Sequence, residues 1–223
     1  MTKLIEFDIK TGAQNMQTDS DLLNFAIQNE LTEPTFRIYG WSPVCVSLGR
    51  NQSDEFLDKD FLNSQNIDVV RRLTGGRALL HDNELTYSYI IPAASLINGN
   101  SVTASYKEIS QILIGAFESL GIKLEFGEKS PVISSTKKSQ DFCMTISTGA
   151  DLCFEGKKLI GSAQFRKQGY ILQHGSILFD YDEKLIEKIF PSSSDLSTLT
   201  CLKTVNPNLS IDDVKESLLS VFS

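Results

Sequence analysis

The sequence predicts an α+β domain in which mixed or antiparallel β-sheets are flanked by helices. Three observations carry this. Two glycine-punctuated segments, Val69 to Ser88 and Cys153 to Phe179, each read as a strand, a tight turn and a second strand. Apolar residues recur at helical spacing in several separate stretches. The two patterns are interspersed without the regular strand–helix alternation of a doubly wound parallel sheet.

In chain order, Leu22, Leu23, Ala26, Ile27 and Leu31 predict a helix over Asp19 to Leu31. Strands are predicted at Thr35 to Tyr39 and Val44 to Leu48, joined by a turn at Gly40 to Pro43. A short helix follows at Asp54 to Ser64. The strand Asp68 to Arg72 is turned back by Gly75-Gly76. Leu85 to Ile91 alternates towards Pro92, which marks an edge strand. Ile109, Ile112, Leu113, Ala116, Phe117 and Leu120 form one stripe, predicting a helix over Thr103 to Leu120 that Gly121 ends. After a strand at Ile122 to Phe126, the polar run Gly127 to Gln140 reads as a surface loop. Strands at Asp151 to Phe154, Lys158 to Gln164 and Ile171 to Phe179 precede helices at Asp182 to Phe190 and Ile211 to Phe222.

The 223 residues fit one domain, residues 1–223, with 41% hydrophobic and 22% charged residues. A net charge of -7 argues against nucleic acid as a partner, because phosphate binding needs a basic face. Two local basic clusters stand out: Arg71, Arg72 and Arg77, then Lys157, Lys158, Arg166 and Lys167. The N-terminal residues lack the apolar core of a signal peptide, and no apolar run is long enough for a membrane span. Cys45, Cys143, Cys153 and Cys201 form no CxxC pair and read as reduced thiols of a cytoplasmic protein. His81 and His174, the two histidines, lie at no metal-ligand spacing from a cysteine, so no metal is expected.

Two segments carry chemistry. In RRLTGGRALLHD, Gly75 and Gly76 let backbone N–H groups approach a ligand between flanking arginines, although an isolated glycine pair equally fits a plain hairpin. In KKLIGSAQFRKQGYILQHGS, adjacent Lys157 and Lys158 point to opposite faces of a strand, so one can enter a site; alternatively both are solvated edge lysines. By the same alternation Ile160, Ser162 and Gln164 share the face of Lys158, and Leu159 and Gly161 take the other. His174 reads as a hydrogen-bonded structural residue more readily than as a base. The His81-Asp82 pair is discounted, because neighbouring strand residues diverge. Cys45, Cys153 and Cys201 sit in apolar surroundings, the default for a free thiol. Cys143 alone follows a long polar stretch, where a thiol can be exposed and activated by a cation.

Taken together, RR-x-TGGRA-x-LHD-x-ELTYS at Arg71 to Ser88 and EGKKLIGSAQ-R-x-x-G-x-x-LQHGSI from Glu155 resemble the lipoate–protein ligase, biotin ligase and octanoyltransferase superfamily. The nearest resemblance is to the cysteine-dependent octanoyltransferases of lipoate biosynthesis, and it covers nearly the whole chain. It implies a biotin/lipoate protein ligase-like catalytic domain. The family nucleophile stands fifteen residues before its motif lysine, which matches Cys143 and Lys158 here. The resemblance implies that Lys158 holds the thiol as thiolate, and that Arg72, Gly75, Gly76, Arg77, Ala78, Leu79, His81, Gly161, Ser162, Ala163, His174 and Gly175 bind substrate. Leu73, Leu79 and Leu172 are candidates for the acyl tunnel. The implied donor is octanoyl-acyl-carrier protein, and the implied acceptor is an apo lipoyl domain or the glycine-cleavage H protein. The basic clusters would face these acidic partners. The enzyme is expected to act as a monomer, with no cofactor and no ATP. One departure is Thr145 to Thr148, where the family has a Pro-Ser pair. Three other readings remain at this point: an ATP-dependent lipoate ligase, which would carry a third glycine at Arg77; an octanoyl amidotransferase between lipoyl-type proteins; and a non-catalytic carrier-binding module.

Overall fold

The computed structural model describes residues 1–127, 141–144, 151–191 and 196–223. The predicted α+β architecture is present. A seven-stranded sheet has the order β1 (Lys3–Lys10), β2 (Thr35–Trp41), β6 (Glu84–Pro92), β10 (Tyr170–Leu178), β9 (Lys157–Lys167), β8 (Leu152–Phe154) and β7 (Glu125–Phe126). A three-stranded sheet has the order β4 (Asp68–Arg71), β3 (Cys45–Leu48) and β5 (Leu79–His81). Among the described strands, β1 with β2 and β3 with β4 pair in parallel and the other pairs are antiparallel. The helices are α1 (Gly12–Gln28), α2 (Lys59–Ser64), α3 (Val102–Ser119), α4 (Glu183–Ile189), α5 (Leu202–Val205) and α6 (Ile211–Phe222).

Helices α3 and α6 cover one face of the large sheet. Their apolar stripes close over Phe36, Tyr87, Ile171 and Ile177, and Phe222 of α6 stacks on Phe36 at 3.8 Å. Such aromatic pairs add about 0.5–1.5 kcal/mol beyond the area they bury. Helix α1 covers part of the opposite face, burying Leu23 and Ala26 against Ile90 and Leu172. A third core joins the small sheet to α2 and α4 and includes Phe142 and Met144. The site lies where the free part of the large sheet meets this small sheet.

Four expectations change. Helix α1 starts at Gly12, not Asp19, because Thr11 and Gln14 form a capping box. Its first turns bury polar Asn15 and Asp19, which an apolar pattern cannot register. Gly75-Gly76 does not turn a hairpin: β4 and β5 lie on opposite sides of β3, so residues 72–78 cross over its end. β6 is not an edge strand. It is paired on both sides, and Pro92 merely ends it where a missing N–H leaves no gap in the ladder. The strand predicted at Ile122 to Phe126 shrinks to the two residues of β7, while Lys3–Lys10, unassigned from the sequence, forms β1. The stretch read as a surface loop lies outside the described residues from 128 to 140, as does the departure at Thr145 to Thr148.

Candidate active site

Residues 141–144 are tied to the small sheet through the backbone. The Ala78 N–H donates to the Asp141 carbonyl at 3.0 Å, and the Cys143 N–H donates to the Ala78 carbonyl at 2.8 Å. Phe142 anchors the segment from the other side, buried and stacked on Phe190 at 4.5 Å. The Cys143 side chain remains half-buried and lines a small, partly open cavity.

Lys158 approaches Cys143 from β9. It is 1% exposed, whereas Lys157 is exposed, so the two diverge as the alternation predicts. The Lys158 ammonium donates to the Cys143 carbonyl at 3.0 Å and to Sγ at 3.9 Å, and it pairs with Asp151 at 3.1 Å. Burial pulls the lysine towards the neutral amine. Cys143 and Asp151 more than offset that, and the net shift is upward, so Lys158 is an ammonium at neutral pH.

The alternation fails one step later. β8 advances one residue, Leu152 to Cys153, while β9 advances two, Ile160 to Lys158, so Leu159 sits in a bulge. Gly161 therefore shares the face of Lys158: a Cβ there would lie 3.0 Å from Lys158 Cε. Ser162 turns to the other face and accepts from the Tyr87 hydroxyl at 2.8 Å.

The glycine loop is organised by Arg72, which is 4% exposed. Its guanidinium donates to the Ser47 carbonyl and hydroxyl, both at 2.7 Å, to the Arg77 carbonyl at 2.8 Å and to the Gly75 carbonyl at 3.3 Å. Gly76 adopts φ +95°, a backbone conformation that favours glycine. The Ser47 hydroxyl then meets His81 Nε2 at 2.6 Å, and His81 Nδ1 meets Glu84 at 3.3 Å. Burial keeps His81 neutral despite Glu84, so Nδ1 donates to the carboxylate and Nε2 accepts from Ser47. The partner is Glu84 and not Asp82, consistent with discounting the adjacent pair. Both nitrogens of His174 are engaged as well: Nδ1 faces Asp19 at 3.3 Å and Nε2 faces the Thr74 hydroxyl at 2.8 Å. Asp19 also holds Arg37 at 3.1 Å and the Tyr39 hydroxyl at 3.0 Å. Each imidazole is a fixed member of the wall.

The cavity brings together Arg72, Gly75, Gly76, Leu79, His81, Cys143, Gly161, Ser162, Ala163, His174 and Gly175 from the predicted set. Lys158 sits directly behind Cys143. Arg77 and Ala78 contribute backbone carbonyls instead of lining it. Leu73 and Leu172 pack beneath α1 and do not reach the cavity, which corrects their assignment to an acyl tunnel. Sequence reasoning missed Met16, Tyr39, Trp41, Thr86 and Ser176 in the lining, and Asp151 behind it. Tyr39, Thr86, Ser176 and Gly161 are register partners across four strands and form one row. Trp41, placed in a turn by the sequence, stacks on His81 at 3.9 Å and donates to Thr86 at 2.8 Å. Part of the basic clusters points inward: Arg72 and Lys158 are buried, and Arg71 is bound to the carbonyls of Gly49 and Gln52. Among the described residues, no group of three or more His, Cys, Asp or Glu is arranged to hold a metal. No helix among them is long and apolar enough to cross a membrane.

This geometry can be set beside known proteins. The sequence profile of the lipoyl protein ligase A/B catalytic domain matches residues 11–223. The chain belongs to that family. The chain is 41% identical to octanoyltransferase LipM of Macrococcus caseolyticus over 190 residues, covering 81% of this chain and 67% of that protein. With octanoyltransferase LipM of Staphylococcus aureus the identity is 35% over 230 residues, covering 99% and 83%. The crystal structure of lipoate-protein ligase A bound with ATP superimposes with a TM-score of 0.78 at 23% identity, covering all of this chain and 84% of that one. The last likeness shows that the fold is the lipoate ligase fold; it carries no information on nucleotide use here.

Proposed function

We propose that this member of the lipoyl protein ligase A/B catalytic family is an octanoyltransferase of protein lipoylation, working through an acyl-enzyme on Cys143. Residues 1–223 are one catalytic domain and act as a monomer. The observation that carries the reading is the buried Lys158 ammonium against the one cysteine that lines the cavity. The curated relatives named octanoyltransferase LipM support the transferred group.

The chemistry follows from the two residues. The Cys143 thiolate attacks the thioester carbon of octanoyl-acyl-carrier protein. The carrier thiol leaves as a thiolate and takes a proton from Lys158, which becomes a neutral amine. The neutral lysine amine of a lipoyl domain or glycine-cleavage H protein attacks the Cys143 thioester. Its proton passes to Lys158, and Cys143 leaves as thiolate, restoring the starting pair. Thioester to thioester is nearly neutral and thioester to amide is downhill, so no ATP enters. The oxyanion of each step would be stabilised by Lys158 and glycine-loop N–H groups, each such donor contributing roughly 3–4 kcal/mol in acyl-transfer sites. His81 and His174 hold the wall and pass no proton, because each ring has both nitrogens bound within the protein.

The test is transfer itself. Octanoyl-carrier protein and an apo lipoyl domain should yield octanoyl-domain without nucleotide, and octanoate or lipoate should drive no ATP–pyrophosphate exchange. Exchange at a rate matching acceptor modification would move the assignment to the ligases.

A further inference from the structure

Asp151 is the acidic residue built into the Cys143–Lys158 pair. It stands at the head of β8, next to Leu152, and is 3% exposed. Its carboxylate lies 3.1 Å from the Lys158 ammonium, which is itself 1% exposed. Burying both charges is unfavourable unless they are paired, and removing one partner leaves the other uncompensated. The pair is also directional: with Asp151 on one side, Lys158 Nζ reaches the Cys143 carbonyl and Sγ.

We propose that Asp151 is a positioning residue for the transfer reaction, holding Lys158 charged and aimed at Cys143 so that a buried ion pair backs the half-buried thiol. This rests on the assignment of Cys143 and Lys158 above. Once Cys143 is a thioester and Lys158 a neutral amine, the contact with Asp151 keeps the lysine in place to receive the acceptor's proton. Among the described residues, the titratable groups acting on Lys158 include Cys143 from the 141–144 segment, Asp151 at the head of β8 and Cys153 within it. Leu199 and Thr200, which meet its backbone, carry no charge. Arg72 acts on the thiol from the glycine loop.

Removing the Asp151 charge lowers the affinity of Lys158 for its proton, so the ammonium is lost at lower pH. The experiment compares wild type, Asp151→Asn, Asp151→Glu, Lys158→Ala and Cys143→Ala. It follows iodoacetamide alkylation of Cys143 and octanoyl transfer across pH. Asp151→Asn should slow transfer near neutral pH by about tenfold and move the alkaline limb of its profile to lower pH. Asp151→Glu should recover most of both. A residue that only braces β8 would scale the rates without moving the profile, so an Asn profile that overlays wild type overturns the proposal. If the Asn variant does not fold, Asp151→Glu decides. Alkylation close to wild type across pH supports the role of the charge, and a loss as large as that of Lys158→Ala overturns it. Transfer that survives in Cys143→Ala overturns this proposal and the acyl-enzyme reading together. An inactive Cys143→Ala beside an unshifted Asp151→Asn overturns only the role of Asp151.

Discussion

His81 and Lys158 are both buried ionisable groups beside carboxylates, yet they settle in opposite states. At Lys158 the neighbouring Cys143 and Asp151 prevail over burial; at His81 burial prevails over Glu84. The second outcome has a consequence for stability. An imidazole in the unfolded chain takes up a proton near pH ~6.5. In the folded protein His81 resists protonation, so between the two values the unfolded state binds more protons and stability falls as pH drops. The stabilising contribution is intact above about pH 6.5 and is lost progressively below it. Thermal unfolding from about pH 7.5 down to 5.5 should show a steeper decline for wild type than for His81→Gln; parallel curves would contradict the neutral buried imidazole. Several of these residues were legible in the sequence because glycine loops and paired cations are local signals. Asp19, Glu84 and Asp151 were not, since each acts by meeting a partner that the fold, and not the sequence neighbourhood, supplies.

On strands β9 and β10 two glycines make contrasting demands. A Cβ on Gly161 would meet Met144 Sδ at 2.7 Å and Lys158 Cε at 3.0 Å, both ends of flexible side chains. A Cβ on Gly175 would meet the Ser162 hydroxyl, the Tyr87 ring at 2.6 Å and the Gly161 backbone carbonyl at 2.9 Å, which cannot move aside independently. Gly161→Ala should therefore cost about 1 kcal/mol in stability while losing most transfer activity, because Met144 and the catalytic Lys158 are the side chains that must yield. Gly175→Ala should lower stability by roughly 1–3 kcal/mol. Denaturant unfolding with parallel transfer assays separates the two; equal stability losses would contradict the bulge that places Gly161 beside Lys158. The bulge was not legible, because strict alternation is what sequence offers for a strand. The hairpin expected at Gly75-Gly76 failed for a related reason. Two strands joined by a glycine turn look alike whether they pair with each other or flank a third, here β3.

For the molecule as a whole, the α+β class, most helices and the two motif-bearing segments followed from composition and periodicity. The joining of those segments into one cavity did not. It depends on the small sheet being carried against the large one and on residues 141–144 bridging them through Ala78 and Phe190. That bridge brings Cys143 to Lys158, and the proposed chemistry depends on it. The most direct measurement is intact mass of the enzyme after mixing with octanoyl-carrier protein in the absence of ATP. The expected result is a gain of one octanoyl group, released by hydroxylamine, mapped to Cys143, lost in Cys143→Ala and retained in Cys45→Ala and Cys153→Ala. An adduct on another residue, or none formed without ATP, would contradict an acyl-enzyme on Cys143.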